Sequence, residues 1–104
     1  MNLPQNPYAR RVDKNQKRII AALRAAGASV TCTYMVGNGF VDIVVGVNGI
    51  NYLLEIKDGT KPPSKRKLTP CEQAWHRHWR GQVAVVCDEQ EALAACGLRN
   101  LLSK

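Results

Sequence analysis

Between two β-forming runs, "GFVDIVVGV" and "INYLLEIK", the chain places Asn48-Gly49. An Asn-Gly pair in that setting favours a two-residue type I′ turn, which closes a hairpin and fixes its register. Val47 then faces Ile50, and counting outward brings Asp42 directly opposite Glu55. Facing side chains on such a pair have β-carbons about 4.5–5.5 Å apart. Lys57, two positions beyond Glu55, projects from the same face. The other face carries Val41, Ile43, Val45, Tyr52, Leu54 and Ile56. It is wholly apolar and must pack against something, with helices expected. Phe40, Val44 and Leu53 surround the charges on the acid face, so that face is partly buried as well. The hairpin is expected at the centre of its sheet.

Two facing carboxylates repel one another, by roughly 0.2–1 kcal/mol on an exposed sheet and more when water is excluded. Stability alone does not recommend the pair. A hard divalent cation does, because Mg²⁺ is typically held by one or two carboxylates and keeps several waters. Lys57 would then position or activate a water, or stabilise developing negative charge. The competing reading is a solvated sheet face with Lys57 paired to one acid, an ordinary antiparallel pattern.

Around the hairpin the periodicity predicts α-β-β-β-α-β-α. Residues 1–11, with two prolines, read as a loose basic arm ending in Arg10-Arg11. "VDKNQKRIIAALRAAG" puts Val12, Ile19, Ile20, Leu23 and Ala26 on one helical face, with Asp13 as N-cap and Gly27 as C′ residue. "ASVTCTYMV" predicts a strand near 29–35, followed by a "GNG" turn and strands at about 40–47 and 50–57. "KDGTKPPSKRK" is a loop with five basic residues among eleven. Thr69, Pro70 and Glu72 are N-cap, N1 and N3 of a helix that Gly81 ends. "QVAVVC" is a short strand, and "DEQEALAACGLRNLL" a last helix with acids at its start.

A length of 104 residues, 45% of them hydrophobic, suits one globular domain over 1–104. No apolar run approaches the roughly 18 residues that span a bilayer, so no membrane is expected. "MNLPQNPYARR" lacks an apolar signal core, so export is not expected. Cys32, Cys71, Cys87 and Cys96 match no zinc or redox spacing and are expected to be reduced, mostly buried thiols of a cytoplasmic protein. A net charge of +7 favours a polyanionic partner.

Asp42-x(12)-Glu55-x-Lys57, with "VD" at 41–42 and "EIK" at 55–57 set in this order of elements, resembles the PD-(D/E)XK nuclease superfamily. "RRVDKNQKRIIAALRAAG", "GFVDIVVG", "YLLEIKDG" and "LTPCEQAWHRHWRGQVAVV" are similar to small phage-type nucleases, including stand-alone VRR-NUC and Holliday-junction-resolvase-like proteins. The resemblance covers most of the chain. It implies a restriction-endonuclease-like αβββαβ(α) core, an α+β arrangement with a central mixed sheet flanked by helices. It also implies Mg²⁺- or Mn²⁺-dependent hydrolysis of a DNA phosphodiester, with branched DNA as a candidate substrate. Asp42, Glu55 and the Ile56 carbonyl would be metal ligands, Lys57 would orient the attacking water, and no small-molecule cofactor is implied. A phage or prophage source follows from the resemblance alone. Val41 stands where the family carries proline, and Asp13 where relatives carry a Glu near the metal.

Several residues have two readings. Asp13 and Gln16 either form a capping box or serve the site, and Gln16 falls on an apolar stripe where it needs a partner. Glu72 either completes a capping box with Thr69 or, as in VRR-NUC-like proteins, lines the site, with Gln73 as the fallback. His76 and His78 point too far apart to share a metal. Trp75 and Trp79, one turn apart, are expected in the core or a subunit interface. Lys61, Lys65, Arg66 and Lys67 are expected to contact DNA, and Arg10, Arg11, Lys14, Lys17 and Arg18 form a second basic cluster. A two-fold homodimer would double the basic face. Two rival functions keep the fold and the charge: a non-catalytic DNA-binding module, and a subunit of a larger nuclease complex.

Overall fold

The structure, a computed structural model, describes residues 13–98. The N-terminal arm, with Arg10 and Arg11, lies outside the described residues. The elements follow the expected order: α1 (Gln16–Ala25), β1 (Ser29–Cys32), β2 (Ile43–Val47), β3 (Ile50–Ile56), a 3₁₀ turn (Pro63–Lys65), α2 (Pro70–His78), β4 (Ala84–Val86) and α3 (Glu89–Ala95). They form a mixed α+β fold. The sheet runs β1-β2-β3-β4, with β1–β2 and β2–β3 antiparallel and β3–β4 parallel.

Asn48 and Gly49 have φ of 54° and 76°, the two positive values that a type I′ turn requires. The register follows from that turn, from Val47 opposite Ile50 to Ile43 opposite Leu54. One face of the hairpin supplies Ile43, Val45, Leu54 and Ile56 to a core that α1 completes with Ile19, Ile20 and Leu23, and α3 with Ala92, Leu93 and Cys96. Val41 is also fully buried but stands apart from this cluster. α2 contributes nothing to that core and meets the sheet on its acid side.

Helix ends explain two differences from expectation. α1 starts at Gln16, with Asn15 in the N-cap position and no side-chain cap bond, so Asp13 is not the cap and no capping box forms there. A backbone turn replaces it, in which the Gln16 N–H donates to the Asp13 carbonyl at 3.0 Å. At the other end the Ala28 N–H reaches back to the Leu23 carbonyl at 3.0 Å, closing a Schellman motif over Gly27 as expected. α2 ends at His78 rather than Gly81, because Trp79 turns extended. The thiols are free but not mostly buried: Cys32 and Cys71 are exposed, Cys87 is half-buried and only Cys96 is enclosed. Among the described residues no helix is long and apolar enough to cross a membrane.

Candidate active site

The regular ladder between β2 and β3 stops one pair short of the acids. At Asp42 the backbone N–H donates to the Leu54 carbonyl at 3.2 Å, and the carboxylate Oδ2 accepts the Ile56 N–H at 2.7 Å. A side chain thus stands in for a main-chain acceptor, which locks Asp42 against the end of β3. Asp42 is 4% exposed and Glu55 is fully buried. The two carboxyl groups are close enough that the charge of Asp42 bears on Glu55. Burial, and then the charge of Asp42, push the Glu55 pKa up to about 9.

Lys57 answers this negative charge. Its Nζ lies 2.7 Å from Glu72 Oε1 and 3.7 Å from Glu55 Oε2. Glu72 is a cap and a site residue at once. Its Oε1 accepts the Thr69 N–H at 2.9 Å, and its own N–H donates to Thr69 Oγ1 at 3.2 Å, so the capping box is complete. Burial works to raise the pKa of Glu72. Hydrogen bonds from Lys57, the Thr69 backbone and Glu55 overcome it and hold the value at about 2. Gln73 is exposed and bonds the Leu68 carbonyl, away from this cluster.

The start of α1 abuts the same place. Asp13 feels the charges of Lys57 and Asp42, and its pKa is raised, chiefly by burial. Asn15, which sequence reasoning had not singled out, donates through Nδ2 to the Lys57 carbonyl at 2.9 Å and the Cys87 carbonyl at 2.7 Å. It ties α1 to the ends of β3 and β4. The one available signal was its place beside Gln16, ahead of the apolar stripe. Gln16 is itself buried, at 3% exposure. Asn15 Oδ1 and Gln16 Oε1 are enclosed acceptors with no hydrogen-bond donor among the described residues.

The basic loop is pinned at both ends. Lys57 precedes it, Glu72 follows it, and their side chains touch, so Lys61, Lys65, Arg66 and Lys67 all hang from the site. Asp58 starts the loop with an Asx turn, accepting both the backbone N–H and the hydroxyl of Thr60, which lower its pKa. Lys61 and Lys14 lie near enough to lower it further. Lys17 is exposed on α1. Arg18 is half-committed to Glu89 on α3, at 3.9 Å.

The donor chemistry suits a hard divalent cation. Two buried carboxylates lie close together, Glu55 at a cost to its ionisation. Among the described residues no group of three or more His, Cys, Asp or Glu side chains is arranged to hold an ion. The Asp42 and Glu55 carboxylates, with the Ile56 carbonyl at the end of β3, could hold such an ion. A short protein ligand set of this kind is typical for Mg²⁺.

No family model matches this chain, and no curated protein matches it either. A solved structure described as a VRR_NUC domain does, with a TM-score of 0.56 and 21% sequence identity over 81% of this chain and 91% of that one. The parallel strand beside the hairpin, the helices on its core face and the acids at the strand ends therefore belong to a chain with the fold of that VRR_NUC domain.

Proposed function

We infer that this protein is a metal-dependent deoxyribonuclease that hydrolyses DNA phosphodiester bonds, with Mg²⁺ or Mn²⁺ as its ion. The observation that carries the reading is the buried cluster of Asp42, Glu55 and Lys57 at the ends of two paired strands. Asp42, Glu55 and the Ile56 carbonyl would hold the ion. Bound there, it would polarise the scissile phosphate and lower the pKa of a water. Lys57 orients that water, and Glu72 fixes the ammonium for the task. Asn15 holds the Lys57 backbone in place. Asp13 and Gln16 present oxygens to the hydration shell around the site. Lys61, Lys65, Arg66 and Lys67 hold the phosphate backbone without reading bases. Branched DNA, a homodimer, and a cytoplasmic setting in a bacterium carrying the phage or prophage complete the reading.

The test is to incubate the purified protein with branched, linear duplex and single-stranded DNA in Mg²⁺, Mn²⁺ or EDTA. Cleavage should need the ion, and Lys57→Ala should lose at least tenfold in rate while binding DNA as before. A protein that binds all three DNAs but nicks none, with either ion, is a binding module. One that cuts only after a partner is added is a subunit of a larger complex.

A further inference from the structure

The tryptophans are not where a core would put them. Trp75 and Trp79 stack on each other, with ring centroids 4.6 Å apart and planes 20° from parallel, yet Trp79 is 40% exposed. The pair is held rigidly. Phe40 meets Trp75 edge-on at 5.3 Å, and Trp79 Nε1 donates to the Gln82 carbonyl at 3.0 Å. Gly81 lies so close to the Trp79 indole that a β-carbon there would sit 3.0 Å from Nε1. The two rings, with Asn38, Cys71, Ala74 and His78, line an open groove of about 330 Å³.

This groove lies on the helix that carries Glu72, with Cys71, Ala74, Trp75 and His78 of α2 in its lining. Glu72 and Trp75 are three residues apart on α2, and Trp79 follows at the helix end, its N–H still bonded to the Trp75 carbonyl. Their span is about 10 Å at 1.5 Å per residue, on the order of three nucleotide steps of a stacked strand. The segment around the rings reads "HRHWR", with Arg77 and Arg80 exposed. A second copy of the chain docking here about a two-fold axis would set these arginines against themselves. A polyanion instead finds complementary charge, and aromatic faces beside a basic track are how unpaired bases are held.

We propose that the Trp75–Trp79 groove is a stacking site for an unpaired base of the DNA substrate, on the α2 side of the cleavage site. The proposal rests on the deoxyribonuclease reading and narrows its substrate to DNA with unpaired nucleotides beside the cut. These are the chain's only two tryptophans, so their fluorescence reports the site directly.

The experiment titrates wild type, Trp79→Phe and Trp79→Leu, in EDTA, with a single-stranded oligodeoxynucleotide and with a blunt duplex of equal length. The single strand should quench wild-type fluorescence strongly and the duplex weakly. Trp79→Leu should weaken single-strand binding roughly 5- to 150-fold, and Trp79→Phe should restore most of it. Because the titration is run in EDTA, quenching is read without metal-dependent cleavage, which separates the two. Equal quenching by both DNAs, or an unchanged Trp79→Leu affinity, overturns the stacking site and leaves the nuclease reading standing. A Trp79→Leu protein that turns from dimer to monomer in light scattering, with DNA affinity kept, overturns it in favour of a subunit contact. Absence of binding to either DNA overturns both.

Discussion

At Glu72 one oxygen, Oε1, accepts both the Lys57 ammonium and the Thr69 N–H. Replacing Glu72 with Ala removes the acceptor of the Thr69 N–H, half of the capping box, and leaves Lys57 with Glu55 alone. Urea unfolding should show a loss of about 1–3 kcal/mol. Glu72→Gln keeps an acceptor for Thr69 but not the charge, so it should fold nearly as well while cleavage slows about tenfold at unchanged KM. The two glutamates also set opposite pH dependences. The folded pKa of Glu55, about 9, lies above its ordinary 4.5. Between those values the unfolded chain has released a proton that the folded chain keeps, so the metal-free protein loses stability as pH rises. The pKa of Glu72 is lowered from 4.5 to about 2, so its contribution is present above 4.5 and lost as pH falls toward 2. Unfolding midpoints in EDTA at pH 5, 7 and 9 should therefore fall stepwise, and Glu55→Gln should flatten that fall without touching the acid limb.

Among the elements, the hairpin was legible because Asn48-Gly49 admits one turn, and that turn sets which residues face each other. The helix caps were legible only where a side chain makes the cap. Thr69 and Glu72 do, whereas at Asp13 a backbone turn serves instead, and nothing local in "DKNQ" distinguishes the two. Asn15 was missed because its partners, the carbonyls of Lys57 and Cys87, are 42 and 72 positions away. That Trp79 is exposed rather than in the core was not legible, because its support comes from Gln82 and Gly81, beyond the helix whose period was being read. Two glycines carry the element-level predictions. An L-residue pays about 1–2 kcal/mol in the left-handed region, so Gly49→Val should destabilise by that amount in denaturant titration. Gly39 has φ of 79° and is buried against α2, where a β-carbon would overlap the Cys71 carbonyl. Gly39→Ala should cost more than Gly49→Val, and by displacing α2 should pull Glu72 away from Lys57 and abolish cleavage.

For the molecule as a whole, charge and fold converge. Among the described residues, basic side chains gather in the loop hanging from Lys57 and Glu72, at the start of α1, and beside the tryptophan groove, and on the proposed reading these meet DNA phosphates. Each phosphate neutralised contributes about −0.7 to −0.9 to the slope of log affinity against log salt. Neutralising Lys61, Lys65 and Lys67 together should reduce that slope in magnitude by about 2 to 3 and weaken binding to all sequences alike. The fold was readable from the order of elements because each was short, patterned and bounded by turn residues. The pairing of two acids around one ion is the step on which the enzymatic account stands. Mn²⁺ binding, followed by the loss of the free-ion electron paramagnetic resonance signal, addresses it most directly. The account predicts one site in the wild-type protein, weakened at least tenfold by Asp42→Asn and by Glu55→Gln, with Asp42→Asn still able to accept the Ile56 N–H and fold. Wild-type occupancy in both variants, or no bound Mn²⁺ in the wild type, would contradict it.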